Sequence, residues 1–404
     1  MSKETTEKAM EENEEVISRP KYEDKIYETF DEMGLNELLL RGIYAIGFEN
    51  PSSIQKRAIV PVSLGYDIIA QSQSGTGKTA TFTIGCLQRI DPSVLAPQLV
   101  VLSPTRELAK QNHKVCTDLA EYLGIKISLC IGGENLDENI KELDAGVHVV
   151  IGTPGRVYDL LKRYVLNIDV MKSIVLDEAD EMLSRGFKEQ IYDIFEHIPP
   201  ASAATTQVCL FSATMPTEVL TLTDQFMKDA IRILVKNEEL TLEGIKQYFV
   251  AVEKDIWKLD TLRDIYKHLT VDQAIIYTNT KRKAEWLAEN LRKSDFSVVC
   301  IHSDMNQRDR NKVINDFKIG HERILIATDI IARGIDVQQV SLVINYDLPK
   351  FKETYIHRIG RSGRYGRKGL AINLAVAGDL CRIEEYQTFY STKIDELPMD
   401  LSVL

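Results

Sequence analysis

Ser72 to Thr79 have the residue types and spacing of a phosphate-binding loop. Small residues let consecutive backbone N–H groups turn inward around a phosphate, and a helix that follows adds its positive N-terminal end. The ammonium group of Lys78 would reach the β- and γ-phosphates, and the Thr79 hydroxyl would hold Mg²⁺. A strand-to-helix turn without a ligand is the alternative, but the apolar run before the loop and the helical pattern after it favour a nucleotide. The candidate nucleotide-binding residues are Ser72, Gln73, Ser74, Gly75, Thr76, Gly77, Lys78 and Thr79.

Two adjacent carboxylates, Asp177 and Glu178, close a second apolar run at residues 173–180. We expect Asp177 to emerge at the top edge of a sheet and hold Mg²⁺ through water, and Glu178 to orient and deprotonate an attacking water. Acidic pairs are usually surface charge, but a position downstream of a phosphate-binding loop favours catalysis. The two motifs together predict a Mg²⁺-dependent nucleoside triphosphatase with Lys78, Asp177 and Glu178 as catalytic residues.

A third segment, residues 355–368, carries five Lys and Arg side chains and three glycines. Glycine permits close approach of the backbone, and the guanidinium fork suits charge that develops on a phosphate. We predict that Arg361 and Arg364 act as arginine fingers, which raise the rate of related triphosphatases by about 10³–10⁵. A nucleic-acid-binding patch is the alternative. Since the phosphate-binding loop lies in the first half of the chain, the site would be complete only when two domains close.

Short runs rich in Val, Ile and Leu alternate with helical patterns from residue 65 onward, and these elements must position the polar groups. Strands of this kind, separated by helices, form a parallel sheet covered on both faces, with the ligand at the carboxyl ends of the strands. The runs fall into two series, which predicts two tandem doubly wound α/β domains. The first series is residues 67–72, 99–104, 147–154, 173–180 and 208–214, and the second is residues 274–280, 298–304, 323–329, 340–347 and 370–376.

The domain boundaries are predicted from charge and composition. The N-terminus is rich in Glu and poor in bulky apolar side chains, which predicts a disordered acidic tail. The charged segment 232–247, with a break at Gly244, is interpreted as the linker region. The predicted divisions are a tail at 1–27, an ATP-binding domain at 28–237, a linker at 238–247 and a C-terminal domain at 248–404.

The composition excludes several classes of protein. With 404 residues, 44% hydrophobic and 27% charged, the chain is not disordered, collagenous or a disulfide scaffold. The six cysteines are scattered without a C-x-x-C pair, which predicts reduced, buried thiols and no zinc site. The net charge of −11 requires that any nucleic acid binds in a local cleft. No stretch has the length and apolar character of a membrane span, and no secretory leader is visible.

Several further tracts accompany these motifs in a fixed order. They are GFENPSSIQ (47–55), PTRELA (104–109), the glycine pair 132–133, TPGR (153–156), SAT (212–214) and ATDIIARGID (327–336). Together with DEAD (177–180) and HRIGRSGR (357–364), they make residues 28–404 resemble the DEAD-box RNA helicases. The resemblance implies two RecA-like domains, ATP as the nucleotide and RNA as the ligand of the cleft.

The resemblance also implies roles in adenosine binding. Gln55 would bind the adenine edge and select ATP over GTP, and Phe48 would stack on the ring. A core Phe and a surface Gln are the alternative. Tyr365 would cover the other face of the adenine, and Asp336 would reach the ribose.

Further roles implied by the resemblance concern coupling and RNA. Ser212 and Thr214 would couple hydrolysis to strand separation, and His357 would join the network between the domains. Hydroxyls, glycines and a few arginines suit phosphate and sugar contacts, so RNA binding would be independent of sequence. The implied RNA contacts are Thr105, Arg106, Gly133, Thr153, Gly155, Arg156, Asn279, Thr328 and Gly334.

Within the family, residues 185–195, 233–247 and 332–349 most resemble the translation-initiation members. This implies a cytoplasmic helicase, monomeric outside its complexes, that opens short RNA duplexes in mRNA leaders without processive movement. Its expected partners are single-stranded RNA, a scaffold protein and stimulating factors of the cap-binding complex. Two alternatives stay open: an ATP-gated RNA clamp of the exon-junction type, and a DNA translocase.

Overall fold

The computed structural model describes residues 25–72, 76–234, 245–269, 272–329, 340–362 and 369–400. Over these residues the chain forms two sheets, each of seven parallel strands. Because parallel strands need crossover helices, each sheet is covered on both faces. The predicted fold, two doubly wound α/β domains, is confirmed.

The first sheet contains a strand in each of the five apolar runs predicted for this half, and two further strands. The strands are Ile68–Gln71 (β1), Leu99–Leu102 (β2), Ile127–Cys130 (β3), Val149–Gly152 (β4), Ser173–Asp177 (β5), Gln207–Ser212 (β6) and Ile231–Leu234 (β7). Their order is β3-β4-β2-β5-β6-β1-β7. The phosphate-binding loop after β1 and the acidic motif after β5 therefore flank the carboxyl end of β6.

The helices of the first half connect these strands, and several begin at side-chain caps. They are Glu37–Ala45 (α1), Ser53–Ser63 (α2), Lys78–Leu87 (α3), Arg106–Leu119 (α4), Leu136–Asp144 (α5), Pro154–Lys162 (α6), Ala179–Ser184 (α7), Lys188–Glu196 (α8), Pro200–Ala203 (α9) and Thr217–Phe226 (α10), with a 3₁₀ turn at Asp31–Met33. The Thr105 hydroxyl accepts from the Leu108 backbone N–H at 3.1 Å and starts α4. Caps of this kind place helix N-termini at the carboxyl ends of the strands.

The second sheet repeats the arrangement. Its strands are Ile245–Ala251 (β8), Gln273–Tyr277 (β9), Val298–Ile301 (β10), Ile324–Ala327 (β11), Val340–Asn345 (β12), Gly369–Ala375 (β13) and Asp395–Glu396 (β14). Their order is β10-β11-β9-β12-β13-β8-β14. The described helices are Lys258–His268 (α11), Lys281–Arg292 (α12), Gln307–Lys318 (α13), Lys352–Ile359 (α14) and Leu380–Tyr390 (α15), with 3₁₀ turns at Asp255–Trp257 and Ala377–Asp379.

Alternate residues of the central strands enter two different cores. In β2, Leu99 and Val101 belong to the core beneath α2, α3 and α4, whereas Val100 and Leu102 belong to the core beneath α6 and α8. A strand buried on both faces has no polar face, which is why β2 reads as an uninterrupted apolar run. The second sheet is divided between two cores in the same way.

The interpretation of residues 232–247 as linker is wrong at both ends of that segment. Residues 232–234 belong to β7, which pairs with β1, and residues 245–247 belong to β8, which pairs with β13. Strands near a sheet edge pair through the backbone and tolerate exposed, charged side chains such as Arg232 and Lys246. The predicted linker positions 238–244 lie outside the described residues.

The six cysteines are free thiols. Four are buried and Cys300 is half-buried, but the prediction of burial is wrong for Cys381, which is exposed. In the part of the chain that the structure describes, no helix combines the length and apolar character that a membrane span needs.

Helices α2 and α3 approach each other at Gly85. A Cβ atom there would lie 2.5 Å from Cγ1 of Val62 and 3.0 Å from the Ile59 carbonyl oxygen. We predict that Gly85→Ala lowers the free energy of unfolding of the first domain by about 1–3 kcal/mol, since overpacking outweighs the better helix propensity of alanine. Urea unfolding followed by far-UV circular dichroism measures the change.

Tryptophan fluorescence supplies an internal control for Gly85→Ala, because both tryptophans, Trp257 and Trp286, lie in the second domain. Their unfolding transition should not move. Gly155→Ala is the matched variant in the first domain, since Gly155 is also in a helix and a Cβ atom there meets no atom within 4 Å. Equal stability of the Gly85→Ala and Gly155→Ala variants would contradict the packing argument.

Candidate active site and RNA cleft

The phosphate-binding loop connects β1 to α3 and ends at Gly77. The φ angle of Gly77 is 95°, in the left-handed region that favours glycine. A Cβ atom at this position would lie 2.7 Å from Nε2 of Gln55, so a larger residue would displace that amide. The structure describes Ser72, Thr76, Gly77, Lys78 and Thr79 of the predicted loop, whereas Gln73, Ser74 and Gly75 lie outside the described residues.

The side-chain amide of Gln55 lies between the start of its own helix and the phosphate-binding loop. Its Oε1 accepts from the Ser52 backbone N–H at 2.7 Å, and its Nε2 lies 3.5 Å from the Gly77 carbonyl oxygen. The side chain is 5% exposed. Phe48 is half-buried and packs against the core of the first domain. The structure thus places Gln55 beside the loop, and adenine contacts by these two residues stay a prediction.

Lys78 joins the loop to the acidic motif. It is the first residue of α3 and is 6% exposed. Its Nζ donates to the Ser72 carbonyl at 2.9 Å and lies 3.4 Å from Oε1 of Glu178. The ammonium group predicted to bind phosphate and the carboxylate predicted to act as a base therefore belong to one cluster.

The predicted metal ligands are joined through Asn112. Oγ1 of Thr79 donates to Oδ1 of Asn112 at 3.1 Å, and Nδ2 of Asn112 donates to Oδ2 of Asp177 at 2.7 Å. Hydroxyl and carboxylate oxygens are the donors that Mg²⁺ prefers, and Asp177 is 2% exposed. This donor set fits the predicted ion.

The two carboxylates predicted to be catalytic, Asp177 and Glu178, differ in protonation behaviour. Burial, with a smaller contribution from the neighbouring Glu178 carboxylate, raises the pKa of Asp177 to about 7. Burial also opposes ionisation of Glu178, but Lys78 and His357 outweigh it, and the pKa of Glu178 is lowered. Because its pKa is lowered, Glu178 is ionised at neutral pH and able to accept a proton. The backbone of Glu178 is left-handed, with φ of 51°, which costs about 1–2 kcal/mol in a residue other than glycine.

Asp180, the last residue of the acidic motif, joins the two domains. Its Oδ2 accepts from the Thr214 hydroxyl and lies 3.1 Å from Nε2 of His357 in the second domain. Its backbone N–H lies 3.5 Å from the Ser212 hydroxyl. Burial opposes ionisation of Asp180, but His357 and the hydrogen bonds from Ser212 and Thr214 lower its pKa. All three residues predicted to couple the domains therefore converge on one buried carboxylate.

Arg361 reaches the same region from the second domain. It follows α14, is 5% exposed, and its Nε donates to the His357 carbonyl at 3.0 Å. Its positive charge contributes to the lowered pKa of Glu178. One predicted arginine finger is thus placed near the catalytic carboxylate. Four further predicted site residues of this domain, Gly334, Asp336, Arg364 and Tyr365, lie outside the described residues.

Two predicted RNA-contacting arginines hold one glycine turn in the first domain. A Cβ atom added at Gly133, whose φ is 81°, would lie 2.4 Å from Nη1 of Arg106. Arg156 donates to the Glu134 carbonyl at 2.8 Å and to Oδ1 of Asn139 at 2.7 Å. The structure therefore brings Arg106, Gly133 and Arg156 together, and the two guanidinium groups position the turn between them.

The other predicted contacts of the first domain lie where β2 and β4 end. Thr105 and Thr153 are the N-cap residues of α4 and α6. A Cβ atom on Gly155 would meet no atom within 4 Å, so its backbone is open to a ligand.

In the second domain, Arg358 joins the two loops that carry predicted RNA contacts. Its guanidinium donates to Oδ1 of Asn279 at 2.8 Å and to both carboxylate oxygens of Asp329, at 2.5 and 2.9 Å. It also donates to Oδ1 of Asn345 at 3.1 Å. Arg358 is 1% exposed, and Asp329 directly follows the predicted contact Thr328.

Sequence reasoning missed three residues that organise the site: Asn112, Asp180 and Arg358. Asn112 lies inside α4 and has no local motif that marks it. Asp180 and Arg358 lie within the motifs at 177–180 and 357–364, but the roles predicted for those motifs belong to neighbouring residues. The signal for Asp180 and Arg358 was a charged side chain within two residues of a group already assigned a role, Glu178 or His357.

We predict that Arg358→Lys lowers the free energy of unfolding of the second domain by about 2–4 kcal/mol, because an ammonium group cannot replace the fork of charged hydrogen bonds. The Michaelis constant for RNA in stimulated ATP hydrolysis should rise as well. Urea unfolding followed by tryptophan fluorescence measures the first effect. Arg382→Lys, at a partly exposed ion pair with Asp379 in the same domain, is the control and should change stability by less than about 0.5 kcal/mol. Unchanged stability in Arg358→Lys would contradict this assignment.

Comparison with known families gives two matches along the chain. Residues 52–222 match the DEAD/DEAH box helicase family, and residues 257–366 match the helicase conserved C-terminal domain. The chain is 55% identical over 399 residues to the ATP-dependent RNA helicase eIF4A of Chaetomium globosum, with 99% of each chain covered. It is 57% identical over 381 residues to the same-named protein of Aspergillus clavatus, covering 94% of this chain and 95% of that one.

Comparison with solved structures supports the same family. The chain is similar to S. cerevisiae Dbp5 bound to RNA and ADP BeF3, with a TM-score of 0.84 and 35% identity. The match covers 93% of this chain and 96% of that chain, so it includes both sheets in one arrangement. The two family matches and the identity to these relatives over nearly the whole chain show that the chain belongs to the DEAD-box family of ATP-dependent RNA helicases.

Proposed function

We propose that this ATP-dependent RNA helicase opens short RNA duplexes locally, without processive movement, in mRNA leaders during translation initiation. The contact between Asp180 and His357 carries the proposal, because it closes the two domains next to Lys78 and Glu178. Occupation of the nucleotide site and closure of the domains are thereby coupled.

In the proposed reaction each residue has one task. Lys78 binds the β- and γ-phosphates, Glu178 accepts a proton from the attacking water, and Arg361 stabilises charge that develops on the transferred phosphate. Thr79 and Asp177 hold Mg²⁺, which when bound neutralises phosphate charge. Gln55 and Phe48 bind the adenine.

RNA would lie across the carboxyl ends of the strands of both domains. The glycine turn at Gly133 and the open backbone at Gly155 suit contacts to phosphate and sugar in the first domain. Thr328 and the loop at Asn279 supply the corresponding contacts in the second. Because these contacts read no base edges, closure would bend any strand, and only the base pairs nearest the cleft would open.

The place in translation initiation is supported by the curated relatives, which are named eIF4A. A cytoplasmic location, a scaffold protein and stimulating factors of the cap-binding complex follow from that proposal. A clamp of the exon-junction type would use the same closed state but hold its strand without separating a duplex.

We predict that single-stranded RNA stimulates steady-state ATP hydrolysis and that matched DNA does not. Glu178→Gln should lower the stimulated kcat by about 100-fold or more, since the carboxylate is the proton acceptor. Glu196→Gln, at an exposed position in α8, is the control and should retain the rate. Equal stimulation by DNA would contradict the assignment of the cleft to RNA.

Duplex length provides a second test. We predict that the rate of strand separation falls steeply with each added base pair, because all pairs beyond the bent region must dissociate on their own. Duplexes of three increasing numbers of base pairs with identical overhangs, assayed with and without ATP, measure this dependence. A rate independent of length would indicate processive movement, and strand binding without separation would indicate the clamp.

A further inference from the structure

A cleft of about 910 Å³ opens between the two domains beside the contact of Asp180 with His357. Its wall on the first domain runs from α7 to the start of α8 and includes Phe187. Its wall on the second domain includes Asp329 and Phe351. The volume is several times that of a nucleobase, and an aromatic ring lines each wall.

Carboxylates outnumber the Lys and Arg side chains that line this cleft. The charged lining residues are Asp180, Glu181, Glu218 and Asp329 on one side of the balance and Arg185 and Lys188 on the other. Arg185 pairs with Glu181, and the buried Arg358 behind the wall pairs with Asp329. Walls of this charge do not attract phosphate, so the cleft suits an uncharged, planar group.

Phe351 offers such a group a face. Its side chain is 70% exposed, at the residue before α14. Lys350, which precedes it, is exposed. An aromatic ring beside a basic side chain is a common way to bind a single strand, with the ring against a base and the cation near the backbone.

The ring also lies close to the proposed RNA path. Nδ2 of Asn279 donates to the Leu348 carbonyl at 2.9 Å, three residues before Phe351. On the other side, Asp329 lines the cleft and directly follows Thr328. The loops that carry the proposed RNA contacts of the second domain therefore adjoin the cleft.

We propose that Phe351 stacks on one nucleobase of the bound RNA strand, which turns into the cleft between the domains. The inference rests on the proposed RNA cleft and adds a contact to a base face, in a site otherwise assigned to phosphate and sugar contacts. Every base has such a face, so binding stays tolerant of sequence but favours a purine at this one position.

The test is an abasic scan of a ten-nucleotide oligoadenylate, bound to the full chain with a non-hydrolysable ATP analogue and followed by fluorescence anisotropy. For the wild-type chain, removal of the base at one position should weaken binding by roughly 5- to 150-fold, the range of base–aromatic stacking. Phe351→Leu should weaken binding of the intact strand by a similar factor and remove the dependence on that position. Tyr164→Leu, at a 92% exposed aromatic residue outside the cleft, is the matched control and should behave as wild type.

Phe351→Trp keeps the proposal testable if the leucine variant folds poorly. It should bind the intact strand at least as tightly as wild type and show quenching of indole fluorescence on binding, which the abasic strand does not produce. The stacking would be overturned if removal of the base had the same effect at every position in the wild-type chain, or if Phe351→Leu kept the position dependence. We would then assign the cleft to a protein partner. Failure of the wild-type chain to bind any strand would instead overturn the RNA cleft itself.

Discussion

The contact between Asp180 and His357 is the interaction on which the arrangement of this molecule depends. Each partner is almost completely buried, at 5% and 3% exposure of the side chain, and each lies in a helix of a different domain, Asp180 in α7 and His357 in α14. A charged hydrogen bond away from water is strong, and a partner left alone there would be unstable. Glu178 directly precedes α7 and Arg361 follows α14, so both lie near this contact. The contact therefore brings together groups of both domains that are proposed to be catalytic.

Two arginines at the proposed RNA cleft bond to other groups of the protein. Arg156 donates to Asn139 and to the backbone of Glu134, and Arg358 donates to Asp329 and Asn279. Most of the other proposed contacts are threonines and glycines. This division is consistent with a net charge of −11, since a cleft that offers shaped backbone donors needs little excess positive charge.

The interior of both sheets could be predicted from the sequence because buried parallel strands have apolar residues on both faces. Strands such as β5, with Ile174, Val175 and Leu176, are marked by composition alone. Strands nearer the edges, such as β7 and β8, could not be predicted, since their stability comes from backbone pairing with a neighbour distant in sequence. The same limit applies to the site. Lys78 and Glu178 stand in local motifs, whereas Asn112 acquires its role only when α4 packs beside β5.

The position of Gln55 against Gly77 has a consequence for substrate choice. The amide that is proposed to read adenine is the same group that limits the space at the last turn of the phosphate-binding loop. Base identity and loop geometry are therefore thermodynamically linked, and linkage acts in both directions. A nucleotide with the wrong base would leave the Gln55 amide, and with it the end of the phosphate-binding loop, out of place. Discrimination against that nucleotide would therefore appear in its turnover number as well as in its affinity.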